Sequence, residues 1–92
     1  MRKQSRSRVG IIRDILKTIN EEGKASITRI MYGSRMPYDR LTTVLDYLIK
    51  KELVKKIEDD EKKYYILTEK GMKLLDEIER LQKILDKLGL EI

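Results

Sequence analysis

The sequence predicts an α+β, mostly helical fold, and three observations carry that prediction. Apolar residues recur at helical spacing through the first half of the chain, in three blocks separated by breaks that hold glycine or proline. Two β-rich runs follow, one on each side of an acidic turn. The last part then changes period, with apolar residues stepping alternately by four and three, which is a heptad pattern.

Residues 1–8 read as a flexible basic arm carrying Arg2, Lys3, Arg6 and Arg8, and Ser5 and Ser7 give it little reason to pack. From Val9 a helical period begins. Val9, Ile12, Leu16 and Ile19 share a face, Ile11 and Ile15 widen it, and Gly23 is a natural stop after Glu22. Lys24 to Ser26 is a short link, and Ser26 suits an N-cap because its hydroxyl can accept an early amide N–H. The second helix is brief, with Ile27, Ile30 and Met31 on one face, and Gly33-Ser34-Arg35 ends it. A third helix is expected from Pro37 to Lys51, with Pro37 at its first position, where a missing N–H costs nothing. Leu41, Val44, Leu45 and Leu48 form its inner stripe, and Asp39, Arg40, Thr43, Asp46, Tyr47 and Lys50 are assigned to the outer face.

The runs Leu53 to Ile57 and Lys63 to Leu67 form a hairpin around the turn Glu58 to Lys62, with Tyr65 and Leu67 facing inward. Thr68 caps the last helix, with Glu69 in its first turn. Residues 9–68 thus form one domain, followed by a terminal helix over residues 69–92. Along that helix Ile78 and Leu85 take a-type positions, and Leu74, Leu81 and Leu88 take d-type positions, with Leu75 and Ile84 on the flanks. Met72 and Leu75 are expected to pack on the chain's own core. Leu81, Ile84, Leu85 and Leu88 lie beyond the reach of so small a core, and exposed they would make a patch of the size that usually marks an interface. The seam therefore predicts a homodimer held by Leu74, Ile78, Leu81, Ile84, Leu85 and Leu88.

Composition narrows the function. Ninety-two residues leave room for one core. There is no Cys and no His, so thiolate metal sites and thiol nucleophiles are excluded, and the commonest general base is missing. An enzyme would need a lysine or carboxylate cluster, and none stands out; no cofactor or metal is implied. No apolar run approaches the length of a membrane span, and no signal-peptide core begins the chain, so a cytoplasmic, nucleoid-associated protein is expected. Abundant Lys and Glu beside a single Asn and two Gln is a thermophile's composition. The net charge is +5 and unevenly placed. Residues 1–52 carry 12 Lys and Arg against 6 Asp and Glu, whereas residues 53–92 carry 9 against 10. A polyanion partner is therefore to be sought in the first half.

The order of elements is a short helix, a tight turn, a longer amphipathic helix and a hairpin, which is a winged helix-turn-helix. In that arrangement the longer helix enters the major groove of double-stranded DNA and the hairpin reaches along the backbone. Arg40 and Thr43, early on the third helix, are then the expected base contacts, with Tyr38 and Tyr47 beside them. Arg29, Arg35, Lys50 and the wing lysines Lys55, Lys56, Lys62 and Lys63 are the expected phosphate contacts, and Arg2, Lys3, Arg6 and Arg8 add the charge of the arm.

Four segments also resemble small archaeal winged-helix proteins: Ile27 to Tyr32, Met36-Pro37-Tyr38, Leu45 to Val54, and Tyr64 to Gly71 with its Leu-Thr-x-x-Gly. The nearest type is a chromatin-associated protein of ten-kilodalton size. The resemblance runs from about Val9 to Leu88 and implies DNA binding, an archaeal or archaeal-virus source, and a symmetric dimer through an antiparallel coiled coil of the last helix. It names no target site and no small-molecule effector. The wing tip, Glu58-Asp59-Asp60-Glu61, departs from it, because phosphates repel acidic residues. That tip suits the alternative function of a winged-helix module that binds proteins.

Overall fold

The computed structural model describes residues 6–90. Its first helix, α1 (Arg8–Glu22), starts where the Ser7 hydroxyl accepts the Gly10 N–H at 2.9 Å. It ends at Gly23, whose φ of 79° is cheap only for a residue without Cβ. Ser26 caps α2 (Ile27–Ser34) by accepting the Arg29 N–H, as the sequence predicts. Arg35 then turns the chain in a left-handed conformation, φ 55° and ψ 46°. The third helix, α3 (Tyr38–Lys50), has Pro37 as its N-cap, with an extended ψ of 156°, one position before the expected first turn. Both placements use a residue that has no N–H to leave unpaired.

Strands β1 (Val54–Asp59) and β2 (Lys62–Leu67) pair antiparallel, in register from Val54 opposite Leu67 to Asp59 opposite Lys62. The hairpin is longer than the sequence suggests, and its loop is only Asp60-Glu61. Both residues have positive φ, 55° and 66°, the geometry of the primed turns that match strand twist. Ala25 adds a single bridge to Tyr65, through N–H···O bonds of 2.9 and 2.8 Å, and ties the α1–α2 link to the wing.

The core lies between α1, α2, α3 and the root of the hairpin. Ile15, Leu16, Ile19, Ile30, Leu41 and Leu48 are completely buried there. Tyr65 faces this core and Leu67 packs against it. The start of α4 (Glu69–Lys87) shows why Thr68 and Gly71 are spaced as they are. The Thr68 hydroxyl accepts the Gly71 N–H at 3.0 Å and donates to the Glu52 carbonyl at 2.7 Å. A Cβ at Gly71 would overlap the Leu53 carbonyl oxygen, so only glycine lets this first turn sit on the chain leaving α3.

Beyond that turn α4 divides. Leu75 and Ile78 are buried against the chain's own core, and Leu74 packs at its edge. Met72 is 49% exposed rather than packed inward, because it stands on the flank of the helix, about 90° from the middle of the buried stripe of Gly71, Leu75 and Ile78. Leu81, Ile84 and Leu88 are exposed, and Leu85 is half-buried.

The arm also differs from expectation. Arg8 belongs to α1, and Arg6 is bonded to the Asp14 carboxylate at 2.7 Å and to the Ser34 carbonyl at 2.6 Å. A guanidinium that finds a carboxylate and two free helix-end carbonyls has reason to pack. Arg2 and Lys3 lie outside the described residues.

Candidate nucleic-acid interface

Helix α3 presents its core residues Leu41, Leu45 and Leu48 inward, which turns Asp39, Thr43, Asp46 and Lys50 furthest from the core. Arg40 stands 100° from Leu41, on a flank rather than at the crest where the sequence reading places it, since each helical residue advances by that angle. With Thr43, Val44 and Tyr47 it lines a groove of about 390 Å³ whose other wall is Arg8, Ile11 and Ile12 of α1. Arg40 and Arg8 thus come to one rim, although thirty-two positions apart. Thr42 and Thr43 both donate their hydroxyl protons to the Asp39 carbonyl, at 2.9 and 3.1 Å. The Thr43 oxygen keeps its lone pairs, so toward a base edge it acts as an acceptor beside a methyl group.

Two tyrosines flank this surface. Tyr38, at the start of α3, is 55% exposed, and Tyr47 is 48% exposed. Tyr32, on α2, is the most exposed aromatic at 74%, but it lines a different groove with Asp14, Lys17, Glu21, Glu22 and Arg29. Tyr65 is the buried member. Its phenol is held above its ordinary range by burial, and then by the nearby Asp46 carboxylate.

The cations separate into two groups. Arg6 and Arg13 bond to Asp14, Arg29 to Glu22 at 2.8 Å, and Lys24 to Asp59. The Asp59 hydrogen bond holds the Lys24 ammonium above its usual range, and the Glu22 bond does the same for Arg29. Among the described residues, Arg35, Arg40, Lys50, Lys55, Lys56, Lys62 and Lys63 are in no ion pair. Those seven lie on α3, on the turn before it and on the wing; among the same described residues Arg8 and Lys17 on α1, Lys51 after α3, and Lys70, Lys73, Arg80, Lys83 and Lys87 on α4 are in no ion pair either.

Strand alternation divides the wing lysines. Lys55 and Lys62 share the face of Ile57 and Tyr64, and Lys56 and Lys63 share the face of Tyr65. The Lys56 ammonium lies 5.8 Å from the centre of the Tyr65 ring. Glu58 and Asp59 stand opposite Lys63 and Lys62 across the ladder, and Asp59 is bonded to Lys24 as well. Of the four tip carboxylates, Asp59 alone is in an ion pair among the described residues, and Asp60 and Glu61 form the turn itself. Among the described residues no carboxylate cluster suited to a metal ion occurs, and no helix is long and apolar enough to cross a membrane.

A family model described as winged helix-turn-helix matches residues 5–86. The structure of Sso10a-2, a DNA-binding protein from Sulfolobus solfataricus, is similar with a TM-score of 0.80 and 34% identity, over 91% of this chain and 86% of that one. The transcriptional regulator BldR from the same organism gives a TM-score of 0.74 at 24% identity, over 85% of this chain and 58% of that one. A MarR family transcriptional regulator from Silicibacter pomeroyi gives 0.72 at 25% identity, over 79% and 49%. The chain thus spans about half the length of the latter two. No curated protein sequence matches it.

Proposed function

We propose that this chain, which belongs to the winged helix-turn-helix family, is a double-stranded DNA-binding protein that works as a homodimer, as a transcription regulator or a chromatin-associated protein. One observation carries the reading: Arg35, Arg40, Lys50 and the four wing lysines, none of them in an ion pair among the described residues, lie on α3, its preceding turn and the wing, the elements that a winged helix lays on DNA. A cation already paired gains less from a phosphate, because it must first give up its carboxylate. The likeness to Sso10a-2 supports the same reading.

In this mode α3 enters the major groove. Thr43 and Arg40 meet base edges, and Lys50, Arg35 and one face of the wing neutralise phosphates. Tyr38 and Tyr47 offer hydroxyls to the backbone. Two copies join through the outer half of α4, where Leu81, Ile84 and Leu88 are exposed. The chemistry is recognition and not catalysis.

Duplex affinity measured against salt tests the reading. Log affinity should fall linearly with log salt, by about 0.9 per neutralised phosphate. Replacing Lys55 and Lys62 together, or Lys56 and Lys63 together, by Ala should lower that slope for the pair that lies on DNA and leave it for the other. Arg40→Ala should cost about 1–3 kcal/mol on a preferred sequence and less on random duplex, whereas Lys50→Ala should weaken both equally. Failure of a stable dimer to retain any duplex at low salt would leave the protein-binding module instead, which the acidic Asp60-Glu61 tip favours.

A further inference from the structure

Asp14 is the hub of a polar chain that crosses the molecule. On one side the Arg6 Nη1 donates to Asp14 Oδ2 at 2.7 Å and to the Ser34 carbonyl at 2.6 Å, and its Nη2 donates to the Arg35 carbonyl at 3.1 Å. On the other side Arg13 donates to Asp14 Oδ1 through Nε at 3.1 Å and Nη2 at 2.9 Å, and its Nη1 donates to the Gln82 side-chain oxygen. The side chains are largely screened from water, Asp14 at 14%, Arg13 at 25% and Arg6 at 26% exposure.

The two ends of this chain are the informative part. Ser34 and Arg35 are the last residues before the turn that starts α3, and their carbonyls have no partner within α2. Gln82 lies beside Leu81 in the outer half of α4. Among the described residues, Arg13 to Gln82 is the one side-chain hydrogen bond that reaches that half. Each guanidinium is a planar fork that fixes direction as well as distance.

We propose that Asp14 is a positioning residue: through Arg6 and Arg13 it sets the angle between the reading helix and the dimer helix, and so the half-site spacing the protein accepts. The proposal rests on the DNA-binding dimer reading. Its leverage is geometric. A tilt of about 10° acting over about 20 Å of α4 moves the far end by about 3.5 Å, roughly one base-pair step. Arg6 is then removed from the phosphate contacts, because its charge is paired with Asp14 and three of its five donors are engaged.

The test uses the full-length dimer and two kinds of duplex. One carries a single preferred half-site, and the other carries two with successive base pairs inserted between them. The wild-type protein should prefer one spacing. Asp14→Asn should change single-site affinity by less than about threefold, lower affinity at the preferred spacing by about tenfold or more, and flatten the spacing profile. Gln82→Leu breaks the same chain at an accessible position without touching the helix-turn-helix, and should flatten the profile likewise. A folded variant that loses affinity equally on both duplexes, or keeps the wild-type profile, overturns the proposal. So does a wild-type dimer that binds duplex with no spacing preference. A wild-type dimer that binds no duplex sinks the DNA reading, and a DNA-free measurement then decides this one. The chain has no native cysteine, so a spin label at Lys51→Cys reports the distance between the two reading heads. That distance should be narrowly distributed in the parent and broad with Asp14→Asn, and equal widths would overturn the proposal.

Discussion

Two elements project from the core, the wing and α4, and they are built alike at the root but differently at the tip. The wing is rooted by Val54 and Tyr65, and α4 by Leu75 and Ile78, all buried against the same core. Past the root, the wing carries Lys62, Lys63, Asp60 and Glu61, whereas α4 carries Leu81, Ile84 and Leu88. An exposed charge is already satisfied by water. An exposed leucine stripe is not, and burying it gains about 25 cal/mol for each Å² removed from water. One projection therefore suits a hydrated polyanion and the other an apolar surface such as a second copy of itself.

The largest effects should come from the root of α4. Leu75→Ala removes buried volume and should destabilise the chain by about 2–5 kcal/mol in denaturant unfolding. Met72→Ala, one turn away on the half-exposed flank, should cost less than about 0.5 kcal/mol. Equal losses at the two positions would erase the division between root and face.

The tip of α4 should respond in mass rather than in folding. Leu81→Glu or Ile84→Glu should halve the molecular weight in sedimentation while the helical signal persists at high protein concentration. Leu75→Ala should leave the assembly intact wherever the chain stays folded. A wild-type monomer at high micromolar concentration would contradict the dimer directly.

A smaller effect belongs to the wing tip. Asp60 and Glu61 hold left-handed conformations that cost an ordinary residue roughly 1–2 kcal/mol. Asn-Gly is the preferred pair in that turn. Asp60→Asn with Glu61→Gly should raise unfolding stability by about 1 kcal/mol, and it should tighten duplex binding by removing two negative charges. Tighter folding without tighter binding would place the tip away from DNA.

The smallest effect is at the wing root. The Tyr65 phenol is held above its ordinary range, so the folded chain keeps that proton where the unfolded chain releases it. Its contribution is fully present below the unfolded value of about 10 and is lost as pH rises through the folded value. Stability should fall in that window, and the fall should be shallower in Tyr65→Phe. An unchanged slope would show that other groups control the alkaline limb.

Much of the fold was legible in the residues. The caps Ser26 and Thr68, the glycine stop at Gly23 and the apolar period of α1, α2 and α3 act over one or two turns, and local chemistry is what a sequence displays. The candidate interface was legible only as a list of cations. Residue type did not separate Arg6, held by an aspartate, from Arg40, which has no acidic partner among the described residues. The helical angle alone was enough to place Arg40 on the flank of α3, but its neighbours across the groove, Ile11 and Ile12, belong to another helix.

The sequence by itself therefore determined the order of elements, the inward faces and the heptad seam, because each follows from spacings of a few residues and the backbone's fixed periods. The tertiary structure decided which charges are free and where the seam stops serving its own core. Asp59 neutralises Lys24 from 35 positions away, and Arg13 reaches Gln82 across 69. Electrostatic and packing energies depend on separation in space, and separation along the chain carries no record of it.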